Sequence, residues 1–196
     1  MTTPTTKTTR LPRILFVLLA LSALAGAAVL GTQVVLAQAV DPAGIGTLDD
    51  GELPEGATAF DSHAGITNMD PDLLAAVRAA ATDAGRSGVE VTVNSGWRSP
   101  ELQKRLMDDA VAERGSREAA SRWVATPDGS SHVTGDAVDI GGYDAAAWFQ
   151  TNGAQYDLCQ IFENEAWHFE LRPGASVHGC PAMYRDASDD PRNAVP

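Results

Sequence analysis

Two short stretches place the strongest constraint on how this chain folds. The first, Ser130-Ser131-His132-Val133-Thr134-Gly135-Asp136-Ala137-Val138-Asp139-Ile140, sets a histidine ahead of a carboxylate in a short apolar run. The second, Glu165-Ala166-Trp167-His168-Phe169-Glu170, adds another histidine with a glutamate three residues before it. Together they hold two of the four histidines in the chain. This inventory suits a metal held by His132, Asp139 and His168, with Glu165 left over as a base. His132 and Asp139 are seven residues apart. That spacing is too long for a pair on one helical turn but suits a loop and the strand it enters, and Gly135 permits the turn between them. His168 has to come from another element, a strand over 167–171 lying beside 137–140. Alternate side chains of a strand share a face, so His168 and Glu170 point the same way. Glu170 then either orients a ligand histidine from behind or is exposed. Glu165, at the start of the strand or in the turn before it, can reach a water on the metal without occupying the metal itself.

A catalytic zinc keeps one of its four places for water. Two neutral imidazoles and one carboxylate leave net positive charge on the ion, which draws the pKa of that water towards neutrality. Taken singly, each residue has a plainer reading: Asp139 as a surface position of an edge strand, His168 as a hydrogen-bonded core histidine. Jointly those readings weaken, because the same two segments also carry Gly135, Trp167 and Glu165 at fixed offsets.

The N-terminus points to export. Lys7, Arg10 and Arg13 precede an almost wholly apolar run from Ile14 to Leu36, and Ala37-Gln38-Ala39 has the small-x-small form of a cleavage site. The run is also long enough to span a bilayer, which takes about 20 apolar residues. Residues 1–40 are therefore expected to be a signal peptide or a membrane anchor, and either role exports the remainder of the chain. All 26 acidic residues lie beyond position 40, and three of the 14 basic ones lie before it. So acidic a domain excludes nucleic acid as a partner, since phosphates demand a basic footprint. Cys159 and Cys180 are the two cysteines, and in an exported protein they are expected to form a disulfide.

Residues 41–67, rich in Gly, Asp, Pro and Thr, are expected to be linker. A helix comes next, with Asp70 as cap and Pro71 at its first position, its apolar side chains recurring up to Gly85. Val89, Val91 and Val93 alternate with polar residues as in a half-buried strand. Ser99 and Pro100 open a second helix that Gly115 closes, and Ser116 caps a third reaching Ala125. Then come a loop delivering His132, the apolar strand 137–140, a helix capped by Asp144, and two antiparallel strands over 156–162 and 167–171 joined by a turn at Glu163 and Asn164. Residues 186–196 are expected to be a polar, solvated tail. The pattern is α+β, with N-terminal helices packed on a small antiparallel sheet carrying a single metal site.

Ser130-x-His132-x-x-Gly135-x-Ala137-x-Asp139, followed by Glu165-x-Trp167-His168, resembles the zinc D-alanyl-D-alanine carboxypeptidases and D,D-dipeptidases of the VanY/VanX type. Upstream, Ser95-Gly96-Trp97-Arg98-Ser99 and Gln103 resemble that family's Ser-Gly-Tyr-Arg-Ser segment, with Trp97 in place of tyrosine. The resemblance covers the catalytic domain expected at 68–185. It implies one Zn2+ ion on His132, Asp139 and His168, Glu165 as catalytic base, and Arg98 as the donor that stabilises the developing oxyanion. It also implies Ser130 and Gln103 as substrate-positioning residues and peptidoglycan stem peptides as the partner. Asp157 departs from the pattern, standing after Tyr156 where the family often has glycine. Two other functions fit the same letters: an endopeptidase cutting another wall bond with the same metal core, and a metal-stabilised wall-binding module without catalysis. Pure binding would need neither Glu165 nor Arg98.

Overall fold

The computed structural model describes residues 47–193. The export or anchor segment expected at 1–40 lies outside them. Among the described residues no helix is long and apolar enough to cross a membrane.

Helix α1, Pro71–Arg86, begins where a side-chain oxygen of Asp70 accepts hydrogen bonds from the backbone N–H groups of Asp72 and Leu73. Such a cap stabilises by about 1 kcal/mol. The helix buries Leu73, Leu74, Val77, Ala80 and Ala84. Strand β1, Thr92–Ser95, is shorter than the alternating run that announces it. Helix α2, Pro100–Arg114, is capped by Ser99 Oγ on the Leu102 N–H and ends at Gly115 in the left-handed region. The expected third helix shrinks to one turn, Arg117–Ala120, capped by Ser116. Strand β2, Ala137–Gly141, is buried along its whole length. Helix α3, Tyr143–Asn152, starts after Gly142 rather than at Asp144. Strands β3, Leu158–Gln160, and β4, His168–Leu171, complete an antiparallel sheet of order β1-β2-β4-β3.

The alternation of side chains gives this sheet two unlike faces. Val138, Ile140, Leu158 and Phe169 face the main core with α1 and α3, where the rings of Phe149 and Phe169 meet edge-on at 5.4 Å between centroids. Asp139, His168 and Glu170 are carried on the opposite face. Helices thus interleave with strands along the chain instead of preceding them. Asp157 has φ 60°, the one non-glycine residue in the left-handed region among those described. A glycine suits that position for the same reason; here the aspartate side chain compensates by accepting the Ser176 N–H at 2.6 Å.

Two segment expectations are corrected. From residue 47 onward the expected linker is packed on the domain: Ile66 is fully buried and Ala57 and Ala59 nearly so. Gly51 lies so close to Trp97 that a Cβ there would come within 2.2 Å of the Trp97 carbonyl oxygen. Asp50 holds Arg105 at 3.0 Å, and its backbone carbonyl accepts the Ser99 N–H at 2.8 Å. These contacts are made residue by residue, with no period for a pattern search to detect. Nor are residues 186–193 of the expected tail simply solvated. Ala187, Asp190 and Asn193 are buried, and Arg192 reaches Glu170 inside the fold. Asp186 accepts from the Ser188 N–H at 3.0 Å and Asp190 from Arg192 Nε, which offsets the cost of burying the two carboxylates.

Candidate metal centre

Register brings the site together. Across β2 and β4, Asp139 stands directly opposite His168; across β1 and β2, Ser95 stands opposite Asp139 after an irregularity between Val93 and Ser95. His132 arrives from a single helical turn, Ser131–Thr134, which Gly135 ends with φ 83°. A residue with a Cβ would be strained there, and the atom would press on the Asn68 carbonyl at 2.8 Å.

The donor atoms converge. Oδ1 of Asp139 is 3.4 Å from Nε2 of His132 and 3.1 Å from Nδ1 of His168. One ligand atom from each of the three residues lies within 4.8 Å of the others. Ligands about 2 Å from a tetrahedral metal stand roughly 3.3 Å from one another, so the spacing fits a small dication. The far nitrogen of each ring is also engaged. Nδ1 of His132 meets the Gly96 carbonyl at 2.7 Å, and Nε2 of His168 meets Oε1 of Glu170 at 3.2 Å. With a cation bound, these partners would hold the N–H of each ring and leave its inward nitrogen as the lone-pair side. Glu170, which the sequence left as either a supporting or an exposed residue, is fully buried.

Electrostatics derive from burial and these contacts. Burial, with the nearby Arg98 charge, lowers the His132 pKa and keeps that ring neutral. Burial alone would raise the Asp139 pKa, but His132, His168 and Arg98 hold the carboxyl well below its usual range. Burial disfavours charge on His168 too, yet its hydrogen bonds to Asp139 and Glu170 push its pKa up to about 9. A metal ligand must be deprotonated, so binding a cation here releases a proton.

Glu165 sits between the turn at Glu163 and Asn164 and a second one at Ala166 and Trp167. Its Oε2 is 3.9 Å from Nδ1 of His168, and burial pushes its pKa up to about 7. Arg98 donates from each nitrogen: Nε to Ser95 Oγ at 2.6 Å, Nη1 to Gln103 Oε1 at 3.1 Å, and Nη2 to Asp139 Oδ2 at 2.7 Å. One N–H on each Nη remains undirected. Gln103 is engaged at both ends, since its amide nitrogen donates to the Ala125 carbonyl at 2.9 Å. Ser130, Arg98, Glu165 and Trp167 line a cavity of about 360 Å3 that α2 and Trp123 extend. Arg98, Gln103, Ser130, His132, Asp139, Glu165 and His168, the residues proposed for the site from the sequence, all line this cavity. Cys159 and Cys180 form the expected disulfide, with Cys159 paired across the sheet with Glu170.

The family model for VanY, D-alanyl-D-alanine carboxypeptidase, matches residues 66–178. The chain belongs to the VanY family. A D-alanyl-D-alanine carboxypeptidase of Enterococcus faecalis is 33% identical over 113 residues, 44% of this chain. The match spans 42% of the length of that relative. Among solved structures, a variant of the vancomycin-resistance D,D-pentapeptidase VanY from a VanB-type cassette, in complex with Zn(II), is similar with TM-score 0.52 and 25% identity. That likeness covers 62% of this chain and 82% of the other. The LdcB LD-carboxypeptidase is similar with TM-score 0.52 and 25% identity, over 65% of this chain and 70% of that one. The VanY match ends before Arg192 and Asn193, which sequence reasoning missed along with Leu106 and Trp123 in the cavity wall. Only one cue bore on Arg192: a buried Glu170 needs a cation, and the sequence nearby offers Arg172 alone.

Proposed function

We propose that this chain is a zinc-dependent D,D-carboxypeptidase that hydrolyses D-Ala-D-Ala-terminated stem peptides of peptidoglycan outside the cytoplasm. One observation carries the reading: in a VanY-family chain, His132, Asp139 and His168 converge on one point with the Glu165 carboxylate beside it. The segment at 1–40 would export the domain, by cleavage after Ala39 or as an anchor.

A zinc ion held by those three residues supplies Lewis acidity to the scissile carbonyl and acidifies water. The residues of the chain do the rest. Glu165, with a pKa near 7, accepts the proton of the attacking water and passes it to the leaving amine of the terminal D-alanine. Arg98 directs its unused N–H groups at the carbonyl oxygen as negative charge gathers there. Ser95 and Gln103 hold the guanidinium in place, and Ser130 contacts substrate from the cavity wall. Trp167, half exposed at the cavity, shields the reacting bond from water.

The test is to load the purified chain with zinc and offer it a stem pentapeptide ending in D-Ala-D-Ala, the tetrapeptide with its terminal L,D bond, and intact cross-linked wall. Release of D-alanine from the pentapeptide supports the reading. Cleavage of the tetrapeptide alone would move the chain to the specificity named for LdcB, and cleavage of cross-linked wall alone would make it an endopeptidase. A zinc-loaded protein that cuts none of the three would be a binding module.

A further inference from the structure

We infer that Arg192 is a positioning residue of the metal centre: its guanidinium grips both oxygens of Glu170 and so fixes the imidazole of His168. The C-terminal segment 184–193, beyond the family-matched stretch, thereby becomes a working part of the site. This rests on the reading of His168 as a metal ligand.

Glu170 is fully buried on the face of β4 that carries His168. Its neighbours across the sheet, Ala137 on β2 and Cys159 on β3, offer no charge. Its partners come from elsewhere. Arg192 donates from Nη1 to Oε2 and from Nη2 to Oε1, both at 3.0 Å. This two-point grip determines the plane of the carboxylate, which a single contact cannot do. Oε1 is the same oxygen that meets Nε2 of His168 at 3.2 Å. Arg172 touches only Oε2, so without Arg192 the oxygen facing His168 has no second anchor. Arg192 is itself held, with Nε 2.9 Å and 3.1 Å from the two oxygens of the buried Asp190.

The chain is returned to this position by a series of ties. The disulfide pins residue 180 to β3. Tyr184 pairs in parallel with Phe162, giving its carbonyl to the Glu163 N–H and its N–H to the Ile161 carbonyl, each at 2.9 Å. Two short turns, Ala187–Asp189 and Pro191–Asn193, then bring Arg192 under β4. Asn193 closes against the loop before Ser130, where a Cβ on Gly129 would come within 2.5 Å of its Oδ1. An arginine placed only to stabilise the tail would need none of this alignment with the oxygen that supports a ligand.

Outer partners of metal-bound histidines commonly contribute about 10- to 100-fold in metal affinity. The experiment measures the zinc dissociation constant of the full chain by competition with a chromophoric chelator, alongside thermal unfolding of the metal-free protein. Arg192→Met is expected to weaken zinc binding about 10- to 100-fold, and Arg192→Lys, which keeps the charge but loses the two-point grip, by an intermediate factor. Arg185→Met, which removes an exposed pair with Asp189 in the same segment, is expected to leave zinc binding unchanged. In a Glu170→Gln background, Arg192→Met is expected to add nothing further. Zinc affinity of Arg192→Met within about twofold of the parent, with only the unfolding temperature lowered, would overturn the proposal. Should Arg192→Met fail to fold, Arg192→Lys decides: parent-like zinc affinity overturns the proposal and weakened affinity supports it. A parent protein that binds no zinc would instead sink the metal-centre reading itself.

Discussion

Oε2 of Glu165 stands 3.9 Å from Nδ1 of His168, and Oε1 of the same buried carboxylate has no hydrogen-bond partner among the described residues. A buried polar atom without a partner costs about 1–3 kcal/mol. Under the proposed mechanism that cost has a purpose, because an oxygen with no partner is free to take a proton from water. A carboxylate placed beside three ligand atoms, rather than a fourth ligand closing the set, is the arrangement the proposed catalytic reading requires.

Glu165→Gln keeps the size of the side chain and removes its capacity to accept a proton. Zinc content by elemental analysis should remain that of the parent, while D-alanine release should fall by about 10²- to 10⁴-fold. A variant that retains parent-like turnover would show that the base is another group.

In protein stripped of metal by chelator, Glu165 also makes stability depend on pH. Burial raises its folded pKa to about 7 from an ordinary 4.5. Below the lower value both folded and unfolded forms are protonated and burial costs nothing through this group. As pH rises between the two values the unfolded chain ionises more readily, so the folded state loses stability, by about 3 kcal/mol once both values are passed. Urea unfolding of chelated parent and chelated Glu165→Gln should therefore diverge between these pH values, with the parent falling behind, and run parallel above them. A difference independent of pH would remove burial of this carboxyl as the cause.

Arg98 joins two tasks through Asp139 and the cavity. Arg98→Lys retains a positive charge but cannot reach Ser95, Gln103 and Asp139 together. Its kcat should drop by about 10²- to 10³-fold, as when an oxyanion donor is lost, while KM changes little. The same loss appearing in KM with kcat preserved would make Arg98 a ground-state binding residue instead.

The Cys159–Cys180 disulfide closes a loop with a sequence separation of 21. Replacing both cysteines by serine should cost about 3 kcal/mol on the chain-entropy account, read as a lower urea midpoint, with a slope that does not fall, because the unfolded chain is freed of its cross-link. A double variant as stable as the parent would mean that Tyr184 and the turns after it suffice to hold the segment.

Local chemistry made much of this protein legible in its sequence. Asp70 and Pro71, Ser99 and Pro100, and Gly115 mark helix ends because each satisfies or releases specific backbone groups within a few residues. His132, Asp139, His168 and Glu165 stood out because titratable side chains in apolar surroundings at such offsets need a shared purpose, and the sheet register does place Asp139 opposite His168. Contacts between distant segments were not written in any local pattern. That residues 47–67 seal the back of Trp97, that Gln103 braces Arg98 instead of standing free, and that Arg192 closes on Glu170 from 22 residues away all depend on where the chain returns in space. A polar tail reads as solvated because charge ordinarily stays in water. Tertiary structure alone decided otherwise, by pairing the buried Glu170 with Arg192 and the buried Asp190 with the same guanidinium.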